Sequence, residues 1–294
     1  MPGNLKEVRT RIVSVKSTMQ ITKAMKMVSA AKLRRATERI IQIRPYSNQL
    51  NDILSNIVSN LQGGVNLSLA EEREVKKVLI VLVSGEKGLC GAFNSNVVKL
   101  ARTLINEQYA ELASKGAIEI MFLGKKGYDG FKATRYQLNS DHIGILNRLE
   151  FSNVAEIAQS IMDRFEAKEF DRVDVVYNMF KNAASQMPTA EQFLPVKTHV
   201  KEGKEKKADY IFEPDKEQLL MELVPKILKT QFFRFLLDSN ASEHGARMTA
   251  MDKATENANE LLKGLSIMYN RARQAAITTE LSEIVSGAAA LSSE

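Results

Sequence analysis

The sequence predicts an α/β protein built as a long antiparallel coiled coil of N- and C-terminal helices with an α/β domain inserted between them. Three observations carry this. A seven-residue apolar repeat runs unbroken through the first 61 residues, the last 80 residues are helical in pattern, and strand and helix patterns alternate between them. The repeat occupies positions 5, 8, 12, 15, 19, 22, 26, 29, 33, 36, 40, 43, 47, 50, 54, 57 and 61, and thirteen of these seventeen are apolar. Alternate steps of three and four are the a/d seam of a coiled coil, and a strict heptad imposes a left-handed supercoil. At 1.5 Å per residue such a helix would reach roughly 90 Å, longer than ordinary globular helices and suited to a mechanical or docking element. Pro45 lies inside the frame and should kink or interrupt the helix.

Gly63-Gly64 and the polar stretch to Glu74 mark a boundary. Beyond it, Lys77–Val83 (KVLIVLV) is a continuous β-branched apolar run, the pattern of a buried parallel strand. Ser95–Ser114 reads as a helix with Asn94 or Ser95 as N-cap and Gly116 as terminator. Ile118–Leu123 is a second strand. Asn153–Lys168 is a second helix, with Asn153 and Glu156 at capping-box spacing. Val173–Met179 and Gln192–Val196 complete four strands, and Lys201–Lys207 is too charged for core. Strand–helix alternation with right-handed crossovers makes this a small Rossmann-like domain. In the C-terminal region Met248, Met251, Ala254, Ala258, Leu261, Leu265, Met268, Ala272 and Ala275 recur at helical spacing. The division is therefore 1–61 as N-terminal coiled-coil helix, 62–214 as α/β domain, and 215–294 as the C-terminal helix pairing with the first.

Charge and composition narrow the function classes. The net charge of +6 is concentrated, because residues 1–44 alone carry +9 while 45–214 carry −1 and 215–294 carry −2. A basic helix can meet nucleic acid, an anionic membrane or an acidic protein surface. In zipper-type DNA readers the basic region lies outside the heptads, whereas here the seam runs through it, which weighs against DNA. The longest apolar run, Val78–Val83, is too short to span a bilayer, and residues 1–20 lack a signal-peptide core. A single cysteine, Cys90, excludes a disulfide within the chain and fits a reducing compartment.

Chemistry would be expected where the first strand meets its helix, at Ser84-Gly85-Glu86-Lys87-Gly88-Leu89-Cys90-Gly91-Ala92-Phe93-Asn94. Its G-x-x-G-x-x-G spacing is not the dinucleotide fingerprint, and no P-loop occurs anywhere. A turn that lets strand and helix pack closely is favoured over a ligand loop. His142, His199 and His244 are isolated, so no metal-ligand spacing is present. No catalytic, cofactor-binding or metal-ligating set emerges, and the expectation is a non-catalytic chain with no cofactor.

Three separated blocks then carry a family resemblance: ITKAMKMVSAAK at 21–32, GLCGAFN at 88–94, and SEHGARMTAMDKATENA at 242–258 with YNRARQAAITTELSEIVSGAAAL at 269–291. The chain resembles the gamma subunits of the rotary F-type ATP synthases over essentially its whole length. That resemblance implies a coiled coil seated in a ring of three alpha and three beta subunits. The α/β domain would be a foot touching the epsilon subunit and the ring of c subunits. The shaft would couple ion flow to ATP synthesis and hydrolysis at beta by rotating. Lys23, Met25 and Lys26 resemble residues that meet an acidic loop of beta. Arg273, Gln274, Thr278 and Glu280 resemble residues gripped by a catch loop of beta, and Glu243 and Arg247 resemble further coupling contacts. Tyr210 resembles a foot residue near epsilon and the c ring, and the tail Ile284–Leu291 would sit in a sleeve at the top of the hexamer. No nucleic acid is expected as partner, and membrane contact only through the complex. Met1-Pro2 with no presequence points to a bacterial form on the cytoplasmic face of the inner membrane, and with Cys90 alone the cysteine-pair switch of photosynthetic forms cannot form. A nucleic-acid- or partner-binding coiled coil is the competing reading.

Overall fold

The computed structural model describes residues 5–59, 68–196 and 216–291, with the side chains of residues 48, 51–59, 216–221, 290 and 291 left aside. The chain forms two compact units, one of residues 1–28 with 248–294 and one of residues 29–247. Two helices run through both: α1, Leu5–Ser59, and α6, Lys216–Leu291. Pro45 and Pro225 lie inside these helices without ending them. The heptad frame holds, since every seam position from Leu5 to Leu50 is buried or half-buried. Between them only Met25, Ala30 and Thr37 among the described side chains are not exposed.

The first unit is the antiparallel pair. The hydroxyls of Thr22 and Thr255 meet at 2.9 Å, and Lys26 Nζ reaches the carboxylate of Asp252 at 2.5 Å. Polar residues in an apolar seam thus face polar residues, which fixes the register. Extending that register sets Met19 opposite Ala258, Val15 opposite Leu262, Ile12 opposite Leu265, Val8 opposite Tyr269 and Leu5 opposite Ala272. All of these are buried or half-buried. This corrects the C-terminal seam. Leu261 and Met268 are exposed, at 46% and 60%, and Ala275 is exposed too. Thr255 takes a seam position, Leu262 and Tyr269 replace Leu261 and Met268, and Leu265 and Ala272 keep the places expected of them.

The second unit is a three-layer α/β structure. Its sheet has the order β3-β2-β1-β4-β5, with β1 Val78–Val83, β2 Ile118–Leu123, β3 Gln137–Asn139, β4 Arg172–Phe180 and β5 Gln186–Leu194. The first four strands are parallel and β5 is antiparallel to β4. β1 alternates between two cores. Leu79, Val81 and Val83 face a core shared with α5 (Phe151–Glu166) and with Ala36, Ile40, Phe232 and Phe235 of the long helices. Val78, Ile80 and Leu82 face a core with α2 (Phe93–Gln108) and α4 (Lys125–Phe131). Within this unit the long helices are therefore a layer of the α/β core as well as parts of a coiled coil.

Local differences have local causes. The expected single helix at 95–114 divides into α2 and α3 (Ala110–Ser114) at Tyr109, which is buried and donates its hydroxyl to the Asp174 carboxylate. Gly116, at φ +68°, ends the stretch. Neither expected N-cap forms. α2 starts after Ala92, because the Asn94 side chain bonds back to the preceding turn. α5 starts after Glu150, and Asn153 donates instead to the Arg148 carbonyl at 3.4 Å. Strand β3 has too few apolar residues to be read from sequence, and β5 begins six residues before its expected start. Gly63-Gly64 and Lys201–Lys207 lie outside the described residues.

Candidate coupling surface

The described residues of the first unit leave a charged, mostly exposed surface on a rigid helical pair. Lys23 is exposed and Met25 is half-buried. Lys26 and Asp252 keep 41% and 44% of their side-chain surface exposed, so their pair lies in the seam and still borders solvent. Past residue 272 the register carries α6 beyond Leu5, and every described side chain from 273 to 289 is exposed. Among the described residues no helix faces 273–291, the last nineteen residues of α6, which span roughly 28 Å at 1.5 Å per residue. Arg273, Gln274, Thr278 and Glu280 stand on it, and the Thr278 hydroxyl donates to the Gln274 carbonyl at 2.9 Å. Ile277, Leu281, Ile284 and Val285 on the same helix are large, apolar and 49–67% exposed, which marks an interaction surface.

Glu243 and Arg247 stand in a different environment. Their side chains are only 9% and 12% exposed and form an i,i+4 ion pair at 2.5 Å. Both face the β1–α2 turn, where Arg247 Nη2 lies 3.4 Å from the carbonyls of Lys87 and Gly88. The turn is bound internally. Asn94 Oδ1 accepts from the Gly85 amide at 2.8 Å, and Asn94 Nδ2 donates to the Lys87 carbonyl and to Cys90 Sγ. Burial pushes the Cys90 thiol up, away from the reactive thiolate. Burial also raises the Glu86 carboxyl, with the Glu243 carboxylate adding to it. The His244 imidazole is held down at about 4 by burial, with Arg247 and Lys32 contributing. Burial is the leading cause of each of these shifts, and the Glu243–Arg247 pair contributes to all three. Among the described residues no cluster of His, Cys, Asp and Glu could hold a metal, and no helix is long and apolar enough to cross a membrane. Tyr210 and the final residues 292–294 lie outside the described residues.

Sequence reasoning put Lys26 in the heptad seam and, through the resemblance, at a contact with beta, and missed Asp252 as its partner. Asp252 and Thr255 could have been found by asking which polar residues of the C-terminal helix answer Thr22 and Lys26. Asn94, a cap by its position in the sequence, is the organiser of the turn, and no sequence pattern distinguishes the two.

Fold and surface together define a coiled-coil protein with an inserted α/β domain and an exposed apolar stripe along the end of its C-terminal helix. The family model described as ATP synthase matches residues 4–291. An ATP synthase gamma chain of Cytophaga hutchinsonii is 52% identical over 294 residues, 99% of each chain, and one of Flavobacterium johnsoniae is 48% identical over 98% of this chain and 99% of its own. The chain belongs to the ATP synthase gamma-chain family. Among solved structures, a chain of the Euglena gracilis mitochondrial ATP synthase assembly with OSCP, F1 and c-ring aligns with a TM-score of 0.66. It is 22% identical over 98% of this chain and 95% of its own. A chain of the Tetrahymena thermophila central stalk and c-ring gives 0.55, at 24% identity over 80% of this chain and 99% of its own. These two likenesses bear on the fold. As a gamma chain, the protein is a non-catalytic subunit of the synthase and acts as its central rotor shaft.

Proposed function

We propose that this chain couples transmembrane ion flow to ATP synthesis and hydrolysis by turning within a hexamer of three alpha and three beta subunits, driven through a foot that meets epsilon and the c ring. Its place would be the cytoplasmic face of a bacterial inner membrane, held there by the complex. The observation that carries this reading is the single-helix end of α6, exposed on all sides and bearing Arg273, Gln274, Thr278 and Glu280 above an exposed apolar stripe. In a closed sleeve Arg273 would form a charge-assisted hydrogen bond to an acidic catch on beta, while Lys23, Met25 and Lys26 would face an acidic loop of beta lower on the shaft. Because the pair is asymmetric, each beta subunit would meet a different face as the shaft turns. That biases each catalytic site between conformations of different nucleotide affinity, a population shift caused by differential contacts. Glu243 and Arg247 would contribute to coupling from their buried position, and residues 62–214 with Tyr210 would form the foot.

The test is co-purification followed by vesicle assay. Expressed with its alpha and beta subunits, the chain should assemble into a particle with ATPase activity. With the full complex in inverted vesicles, ATP hydrolysis should drive ion pumping that disappears when this chain is omitted. Pumping that persists without it would overturn the assignment.

A further inference from the structure

The sheet order β3-β2-β1-β4-β5 reverses direction at β1, so a crevice opens between the C-terminal ends of β1 and β4. In open α/β sheets this switch point is where ligands usually bind, often as an anion against the first βα turn. Here a helix of the same chain fills it. The Glu243–Arg247 pair of α6 sits over the β1–α2 turn, and Arg247 reaches the Lys87 and Gly88 carbonyls. A Cβ on Gly85 would stand 3.0 Å from the Glu243 carboxyl carbon and 3.1 Å from Asn94 Oδ1, so glycine is what admits the carboxylate. On the far side the turn after β4 closes in, since a Cβ on Gly245 would stand 3.1 Å from the carbonyl oxygen and 3.2 Å from the Cα of Ala183. Between them the Ser242 hydroxyl donates to the Asn178 carbonyl at 3.0 Å, Asn178 Nδ2 lies 3.4 Å from the Phe93 carbonyl, and Ala246 packs with Cys90 and Phe93. Residue 247 is also the last of the α/β unit along α6.

We propose that the switch-point crevice is a clamp that takes the Glu243–Arg247 pair as an internal ligand and grips α6 at the place where torque enters the α/β unit. Gly85, Asn94 and Gly245 are then positioning residues for coupling. Glu243 and Arg247 act through the turn and not by touching a partner. Because Glu243 and Arg247 stand on the same helix, turning α6 would carry the ion pair with it and break the bonds from Arg247 to the Lys87 and Gly88 carbonyls and from Ser242 to the Asn178 carbonyl, leaving those buried groups without partners. This inference rests on the rotor reading.

The experiment is a double-mutant cycle in the assembled complex, read as ions pumped per ATP hydrolysed in inverted vesicles. Gly85→Ala should lower that ratio by roughly threefold, since residues in contact couple measurably. In a Glu243→Ala background, where only Asn94 Oδ1 still stands close to the new Cβ, Gly85→Ala should lower it by much less than threefold. Additive losses would overturn the clamp, because they would mean that Glu243 acts on a partner independently of the turn. A wild-type complex without chain-dependent pumping would count against the rotor reading instead. A second measurement holds even for variants that fail to assemble: hydrogen exchange of the full isolated chain. Arg247→Lys should deprotect the amides of residues 85–94 while β1 and β2 stay protected, because the lysine side chain is one bond shorter and its nitrogen falls short of the place where Arg247 Nη2 meets the Glu243 carboxylate and both turn carbonyls. Unchanged protection of that turn would overturn the proposal.

Discussion

Reversing the charge of Lys26 separates the two roles this residue can have. Lys26 occupies a seam position and its ammonium reaches the Asp252 carboxylate at 2.5 Å, with both side chains under half exposed. A pair so open to solvent contributes about 0.2–1 kcal/mol. Lys26→Glu removes that contribution and sets two carboxylates against each other, a repulsion of similar size, so the cost should total about 0.4–2 kcal/mol. The swap Lys26→Glu with Asp252→Lys rebuilds the pair with reversed polarity and should return stability to within about 0.5 kcal/mol of wild type. Denaturant unfolding of the isolated chain, followed by helical circular dichroism, measures both variants. In high salt the difference between them should shrink as the charges are screened. The functional half uses the assembled complex in vesicles. If Lys26 also faces an acidic loop of beta, the swap recovers stability but leaves the introduced carboxylate repelling that loop, and pumping stays impaired. A swap variant as unstable as the single reversal would refute the register argument. Recovery of pumping together with stability would refute the contact with beta.

Other outcomes follow from the same structure. Arg273→Ala with Gln274→Ala should lower ATP turnover of the complex while leaving the isolated chain's helicity unchanged, because both side chains are exposed and alanine is the best helix former. Equal turnover would move the catch elsewhere on α6. Ile40→Ala, at a position 1% exposed in the core shared by α1 and the sheet, should cost about 2–5 kcal/mol in thermal or denaturant unfolding. Ile41→Ala, 64% exposed beside it, should stay within about 0.5 kcal/mol. The His244 imidazole is held at about 4 when folded against about 6.5 for an ordinary histidine, so the folded state resists a proton that the unfolded chain accepts. Its contribution is intact above pH 6.5 and is lost as pH falls toward 4, by at most about 3 kcal/mol at about 1.4 per unit. Unfolding of wild type and His244→Asn at pH 7 and pH 5 should therefore converge at the lower pH. The purified chain alone should neither bind ATP tightly nor hydrolyse it, as the missing P-loop implies, and calorimetry with a phosphate-release assay checks both.

Most of the architecture was legible in the sequence because it rests on periodicity. A seam that repeats every seven residues must face one partner, and the positions 5 to 50 that carry the repeat are the ones withdrawn from solvent. Runs such as Val78–Val83 and Ile118–Leu123 leave no solvent face, so they had to become central strands. The family was legible too, from blocks too long and too separated to agree by chance. What sequence could not supply is pairing across distance. The C-terminal frame took Leu261, with an equally apolar Leu262 beside it, and only the meeting of Thr22 with Thr255 decides that Leu262 faces α1. Asn94 could cap a helix or brace a turn with the same atoms, and the nearness of the Gly85 amide settles it. In the sequence Glu243 and Arg247 stand out only as coupling contacts implied by the resemblance, with nothing to show that they are buried. They are buried because the sheet reverses direction at β1 and opens a crevice there, a consequence of strand order that no local stretch of sequence encodes.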